Sequence, residues 1–278
     1  MKNTDKHQGL RNQLVKLLKE KGIRDAAVLS AISTIPRHLF IDSSFENFAY
    51  QDKAFPIDAE QTISQPYTVA FQSQLLEIKK GDKILEIGTG SGFQTAILAE
   101  MGAKVFSIER QRELYLKTNR IIPKLGYNPK LKYGDGYKGW PSFAPFDKMI
   151  VTCGAPFIPP ALIEQLKVGG FMVVPVDEGA HQRMVRLTKS ANGGYTEETF
   201  EKIIALIKDQ TDLIVIDHLH FFDYTDDNEN RAVKTIVKRI RDLAQIYGLP
   251  IVLVSHLRKT DKKFAKSIPD IEDFHGSS

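Results

Sequence analysis

Apolar residues recur at helical spacing near the start of the chain, where Leu10, Leu14, Leu17 and Leu18 share one face. Gly22 closes that run. Asp25 is placed to cap a second helix, whose Val28, Leu29 and Ile32 form an apolar stripe before Pro36 stops it. Over 40–66 the periodicity is lost, and an irregular stretch of that length inside a domain points to a functional segment. From Lys83 onward, short apolar runs alternate with helical patterns. Strands are expected over 83–87, 104–108, 130–133, 148–152 and 171–176, with helices over 94–101, 113–125 and 160–166 between them. Two further runs, 184–188 and 195–200, joined through Asn192-Gly193-Gly194, predict an antiparallel hairpin. Repeated strand–helix units of this kind predict an α/β fold with a doubly wound, mostly parallel sheet behind an N-terminal helical segment.

After Phe200 the pattern starts again. Ile203, Ile204 and Ile207 suit a helix; 213–216 is an apolar strand ending in Asp217; 230–247 is a long amphipathic helix; and 251–254 is a second buried strand. The tail from Lys259 is basic and has no period.

Composition narrows the class without naming a function. Of 278 residues, 42% are hydrophobic and 26% charged, which excludes a disordered, collagenous or disulfide-stapled chain. At roughly 150 residues per domain this length allows one large domain or two. The formal net charge of +4 does not by itself imply a nucleic acid or a membrane partner. A single cysteine, Cys153, rules out an intramolecular disulfide and a cysteine-rich zinc site. No signal peptide and no apolar run long enough for a membrane helix is visible. A soluble, cytoplasmic protein is expected.

The strongest chemical signal is Leu85-Glu86-Ile87-Gly88-Thr89-Gly90-Ser91-Gly92, a strand end running into a helix. Open α/β sheets bind ligands at that place, and glycines let a ligand approach the main chain. The spacing of Gly88, Gly90 and Gly92 is Gly-x-Gly-x-Gly, unlike the Gly-x-Gly-x-x-Gly of dinucleotide sites. Glu86 just before the loop disfavours a phosphate and suits a cationic ligand such as S-adenosylmethionine, which carries a sulfonium and an ammonium. Glu109 ends the next strand, where a carboxylate can accept both ribose hydroxyls. Asp135, in Tyr133-Gly134-Asp135-Gly136, follows the third strand and is placed for an adenine amino group, with Gly136 beside it.

With Gln61-Thr62-Ile63-Ser64-Gln65-Pro66-Tyr67 added, the sequence resembles the protein-L-isoaspartate (D-aspartate) O-methyltransferases over about residues 10–200. Further matching segments are Ile35-Pro36-Arg37, Gly134-Asp135-Gly136, Ala144-Pro145-Phe146-Asp147 and Gly169-Gly170. The resemblance implies a Rossmann-like methyltransferase sheet, S-adenosylmethionine as cofactor, and isoaspartyl-containing proteins and peptides as substrates. It implies Ser64 as the active-site hydroxyl that orients the substrate carboxylate, with Ile63 and Gln65 beside the cofactor. The methyl ester is then expected to decay through a succinimide, returning some isoaspartate to aspartate. A monomer without membrane or nucleic-acid partners is expected. One departure is that the family's closing Phe-Val-Pro-Leu-like segment is not found after Phe200.

The region 201–278 instead resembles an internal piece of a RecA-like ATPase of the replicative-helicase type. Asp217 lies where a Walker B acid would be, His256 at the place of a phosphate-sensing residue, and an Asp-x-x-Gly-Ser-like tail follows. No Gly-Lys dipeptide occurs anywhere in the chain, so the phosphate-binding loop of such a domain is missing. The scattered histidines have no metal-ligand spacing, and no metal is expected. The expected organisation is therefore a methyltransferase domain over 1–200, with 1–80 helical and substrate-side and 81–200 the core, followed by a partial RecA-like segment over 201–278. The alternatives left open are a nucleic-acid-associated ATPase fragment, a small-molecule methyltransferase, and an artificial or inactive fusion of two partial proteins.

Overall fold

A computed structural model describes residues 3–154, 157–178, 181–198, 214–217 and 251–254. The chain divides into two compact units, Met1–Ile207 and Lys208–Ser278.

In the first unit, α1 (Asp5–Glu20) and α2 (Ala26–Thr34) fall where the apolar stripes place them. The Asp25 carboxylate accepts the Ala27 and Val28 amides as the expected cap of α2. The stretch 40–66, expected to be irregular, holds short 3-10 turns and a small antiparallel ribbon of β1 (Phe55–Pro56) and β2 (Thr62–Ile63), with Phe55 opposite Ile63. Next comes α3 (Pro66–Leu75), which the periodicity did not predict. Its buried positions include Gln72 and Ser73, so polar residues interrupt the stripe that would have marked it.

From there the expected alternation holds: β3 (Lys83–Ile87), α4 (Phe93–Glu100), β4 (Lys104–Glu109), α5 (Arg112–Ile121), β5 (Lys130–Tyr133), β6 (Phe146–Val151), α6 (Pro160–Gln165), β7 (Leu166–Glu178), β8 (His181–Lys189) and β9 (Tyr195–Glu198). The helix expected to reach residue 125 changes to a 3-10 turn at Ile122–Leu125, where Pro123 cannot donate an α-helical hydrogen bond. These strands form one sheet in the order β5-β4-β3-β6-β7-β8-β9. The first five are mutually parallel, and β8 and β9 continue the sheet antiparallel. The predicted hairpin is the β8–β9 pair, while β7 and β8 are longer than their apolar cores indicated.

Alternation along β3 sends Leu85 and Ile87 to one apolar cluster, with Phe146 and Leu162. Ile84 goes to the other face, packed with Leu98 of α4 and Val105. Glu86 is on the Ile84 face, opposite Ser107 of β4 in the strand register. A third cluster joins α1, α2, α3 and the ribbon to Phe93, Ala96 and Ile97 of α4, and so fixes the helical segment against the loop that follows β3.

The second unit contains β10 (Ile214–Asp217) and β11 (Ile251–Val254), a parallel pair with Asp217 opposite Val254. The helices expected over 203–207 and 230–247, together with His256 and the tail, lie outside the described residues.

Candidate active site

A cavity of about 260 Å³ opens at the C-terminal ends of β3, β4 and β6. The parallel strands all end there, so the loops that leave them converge on one place. Its wall includes Ile63 and Ser64 from the ribbon, Gly88 and Gly90 from the glycine loop, Glu109 at the end of β4, and Asp135 and Gly136 after β5.

Close packing forces the glycine loop into shape. Gly88 has φ +95°, and a Cβ there would lie 2.6 Å from the Thr152 hydroxyl oxygen. That hydroxyl donates to the Gly88 carbonyl at 2.5 Å and ties the loop to the end of β6. Thr118 of α5 donates to the Gly90 carbonyl at 2.9 Å. The Gly90 amide donates to Glu109 Oε2 at 2.7 Å, and the Gln111 amide donates to Glu109 Oε1 at 2.7 Å. Each Glu109 oxygen thus accepts one backbone amide and keeps lone-pair capacity for one more donor. A buried carboxylate with that capacity, facing a cavity, suits a vicinal diol.

Ser64 is half-buried, and its hydroxyl has no hydrogen-bond partner among the described residues. Its carbonyl accepts a hydrogen bond from the Arg37 guanidinium at 3.0 Å. Asp135 is exposed and accepts the Tyr137 amide at 3.0 Å, so it both caps a short turn and borders the cavity.

Three residues expected at the cofactor lie outside the cavity wall. Gln65 precedes α3 as its N-cap residue, with Pro66 in the first turn. Gly92 serves packing: its φ is +88°, and a Cβ would lie 2.6 Å from Thr118 Cγ2. Glu86 is fully buried and does not face a cationic ligand; strand alternation turns it under α4, where Thr95 Oγ1 donates to it at 2.5 Å. Burial pushes its carboxyl up to about 7, against the opposing pull of hydrogen bonds from Ser107 and Thr95.

The structure also brings in residues that the sequence reading missed. Thr152 and Cys153 follow β6, and Gln94 lies in the first turn of α4. The strand-end rule that selected Glu109 would have found the first two. Gln94 carries the test of cofactor fit. It is buried, its amide nitrogen donates to Ser73 Oγ at 2.8 Å, and its Oε1 has no partner among the described residues. A buried acceptor in a cavity wall needs a donor, and an ammonium group supplies one.

Comparison with known proteins gives a consistent answer. The family model described as protein-L-isoaspartate(D-aspartate) O-methyltransferase matches residues 9–208, and a model described as an AAA domain matches residues 169–262. The protein-L-isoaspartate O-methyltransferase of Christiangramia forsetii is 66% identical over 192 residues, covering 69% of this chain and 90% of the relative. That of Flavobacterium psychrophilum is 59% identical over 213 residues, covering 76% of this chain and 100% of the relative. The family match over residues 9–208 agrees with the resemblance read over about residues 10–200. A solved protein-L-isoaspartate O-methyltransferase superposes with a TM-score of 0.60 at 31% identity, over 65% of this chain and 60% of that one. A structure titled a putative protein-L-isoaspartate O-methyltransferase from Plasmodium falciparum, in complex with S-adenosyl-L-homocysteine, has the same TM-score of 0.60 at 23% identity, over 71% and 94%, and supports the fold. On the extent of the family match and the identity of these relatives, the chain belongs to the protein-L-isoaspartate(D-aspartate) O-methyltransferase family.

Proposed function

We propose that this protein transfers a methyl group from S-adenosylmethionine to the carboxylate of L-isoaspartyl and D-aspartyl residues in damaged proteins, as a repair enzyme. The observation that carries the reading is one cavity lined both by the Ser64 hydroxyl, which has no partner among the described residues, and by the Glu109-braced glycine loop. When bound, the cofactor supplies an electrophilic methyl on a sulfonium. Gly88 and Gly90 would offer backbone to it, Glu109 would accept its ribose hydroxyls, Gln94 Oε1 would accept from its ammonium, and Asp135 with Gly136 would border its adenine.

Ser64 donates to one oxygen of the substrate carboxylate and leaves the other to attack the methyl carbon. A carboxylate with a pKa near ~4 is already ionised at neutral pH, so no general base is needed. The chain's task is alignment at near-attack distance. The carboxylate's negative charge and the sulfonium's positive charge both vanish as the methyl passes to oxygen and the neutral thioether, S-adenosylhomocysteine, leaves, so a partly desolvated cavity would favour the step.

The protein is proposed to act as a cytoplasmic monomer on isoaspartyl proteins and peptides, without nucleic acid. Among the described residues no helix is long and apolar enough to cross a membrane. The methyltransferase domain is assigned to the first unit, and the remainder to a partial RecA-like segment. The AAA match over residues 169–262 favours a second reading, an ATPase fragment, but the chain contains no Gly-Lys to hold a triphosphate.

The test is methyl transfer from labelled S-adenosylmethionine to an isoaspartyl peptide and to its normal aspartyl counterpart. Base-labile label is expected only on the first. Protein that binds S-adenosylhomocysteine yet labels neither peptide overturns the reading.

A further inference from the structure

We propose that Arg37 is a positioning residue for methyl transfer: it gathers three backbone carbonyls, two from the turn over 49–53 and that of Ser64, and so sets where Ser64 stands relative to the cofactor loop. The proposal rests on the role given to Ser64 above.

Arg37 is 1% exposed. Its Nη1 donates to the Ala49 carbonyl at 2.6 Å, and its Nη2 donates to the Lys53 and Ser64 carbonyls, each at 3.0 Å. Among the described residues no carboxylate is hydrogen-bonded to it, and its Nε has no partner. A buried arginine that only stabilises is normally paired with an acid, because an unpaired buried charge is costly. Here burial lowers the guanidinium to about 10, with Asp52 pulling the other way, so the site holds the cation at a cost. What the cation gains is geometry. A rigid planar fork holds donors on separate nitrogens in fixed directions, whereas the donors of an ammonium converge on one rotatable nitrogen.

Both reacting sides meet this fork. The guanidinium carbon lies 5.6 Å from the Phe55 ring centroid and 5.6 Å from that of Phe93. Phe55 is opposite Ile63 in the ribbon that carries Ser64. Phe93 begins α4 directly after the glycine loop and lines the cavity. Arg37 therefore stands between the segment that holds the acceptor and the segment that holds the donor. Among the described residues the Ser64 hydroxyl has no hydrogen-bond partner, so its place follows the backbone that Arg37 holds.

The test is a double-mutant cycle of Arg37→Lys and Ser64→Ala in the full chain. S-adenosylhomocysteine affinity, kcat, and KM for an isoaspartyl peptide are read for each variant, and Arg37→Met is measured alongside. Arg37→Lys is expected to lower kcat by about 10- to 100-fold, because misplacement by about 1 Å is enough for that. S-adenosylhomocysteine affinity should stay within about twofold for the lysine variant, and adding Arg37→Lys to Ser64→Ala should cost less than about twofold more. Multiplicative losses in the double variant overturn the proposal and leave the Ser64 reading intact. A Ser64→Ala enzyme at the wild-type rate overturns that reading and the proposal with it. If both Arg37 variants lose S-adenosylhomocysteine binding, or Arg37→Lys runs at the wild-type rate, Arg37 has no positioning role.

Discussion

Ser64 presents to the cavity a hydroxyl without a partner among the described residues, while Glu109 presents a carboxylate already braced by two amides. Their substitution should therefore separate chemistry from cofactor binding. Ser64→Ala is expected to lose most methyl transfer and keep its affinity for S-adenosylhomocysteine; a wild-type rate on an isoaspartyl peptide refutes the role. Glu109→Ala removes a charged acceptor and also frees the Gly90 and Gln111 amides, so S-adenosylhomocysteine should bind more weakly by about 1–3 kcal/mol. An unchanged dissociation constant by calorimetry would place the ribose elsewhere. Glu86 has a different consequence. Its folded-state carboxyl sits near 7 rather than the usual 4.5, so the folded chain holds a proton that the unfolded chain releases. The neutral form's contribution is intact below about 4.5 and is lost as pH rises through about 7. Glu86→Gln should stay neutral throughout and so gain stability over the wild type as pH rises across that window. Denaturant midpoints at a series of pH values test this, and a difference that does not grow with pH removes the assignment.

At the scale of elements, the loop between β3 and α4 is fixed as much by its neighbours as by its own glycines. Gly92 lies against Thr118 of α5, and Thr118 in turn donates to the Gly90 carbonyl. Gly92→Ala must place a methyl where there is no room, at a φ that disfavours side chains. It is expected to destabilise the fold by about 1–3 kcal/mol, measured by denaturant unfolding. A loss below about 0.5 kcal/mol would mean that α5 yields. The same dependence on neighbours explains which elements were legible. α1, α2 and the strands β3 to β6 each carry their period or apolar run in the local sequence, and Asp25 carries its own cap. α3 does not, because its buried face includes Gln72, which donates to the Val151 carbonyl of β6. That bond replaces apolar patterning with a contact to a strand far along the chain.

At the scale of the whole molecule, two units share one chain but only the first presents a described site. The apolar strands of the second unit pair with each other in parallel, and Asp217 ends one of them. An acid at a strand end does not make an ATPase, since phosphoryl transfer needs a bound triphosphate positioned by backbone amides and a lysine. The full chain is expected neither to bind nor to hydrolyse ATP; turnover that disappears in Asp217→Asn would reverse this. The sequence by itself determined the alternation of strands and helices from β3 to β6, the glycine loop and the carboxylate seventeen residues beyond it, because these are written in spacing between near neighbours, and its motifs carried the resemblance to the family. Alternation along β3 set the face on which Glu86 falls, but only the tertiary structure decided what covers that face, and it placed Thr95 there instead of a ligand. It also set Gln94 against Ser73 and Arg37 against the Ser64 carbonyl, because these contacts join elements separated in sequence, and no local period records which distant group a side chain will meet.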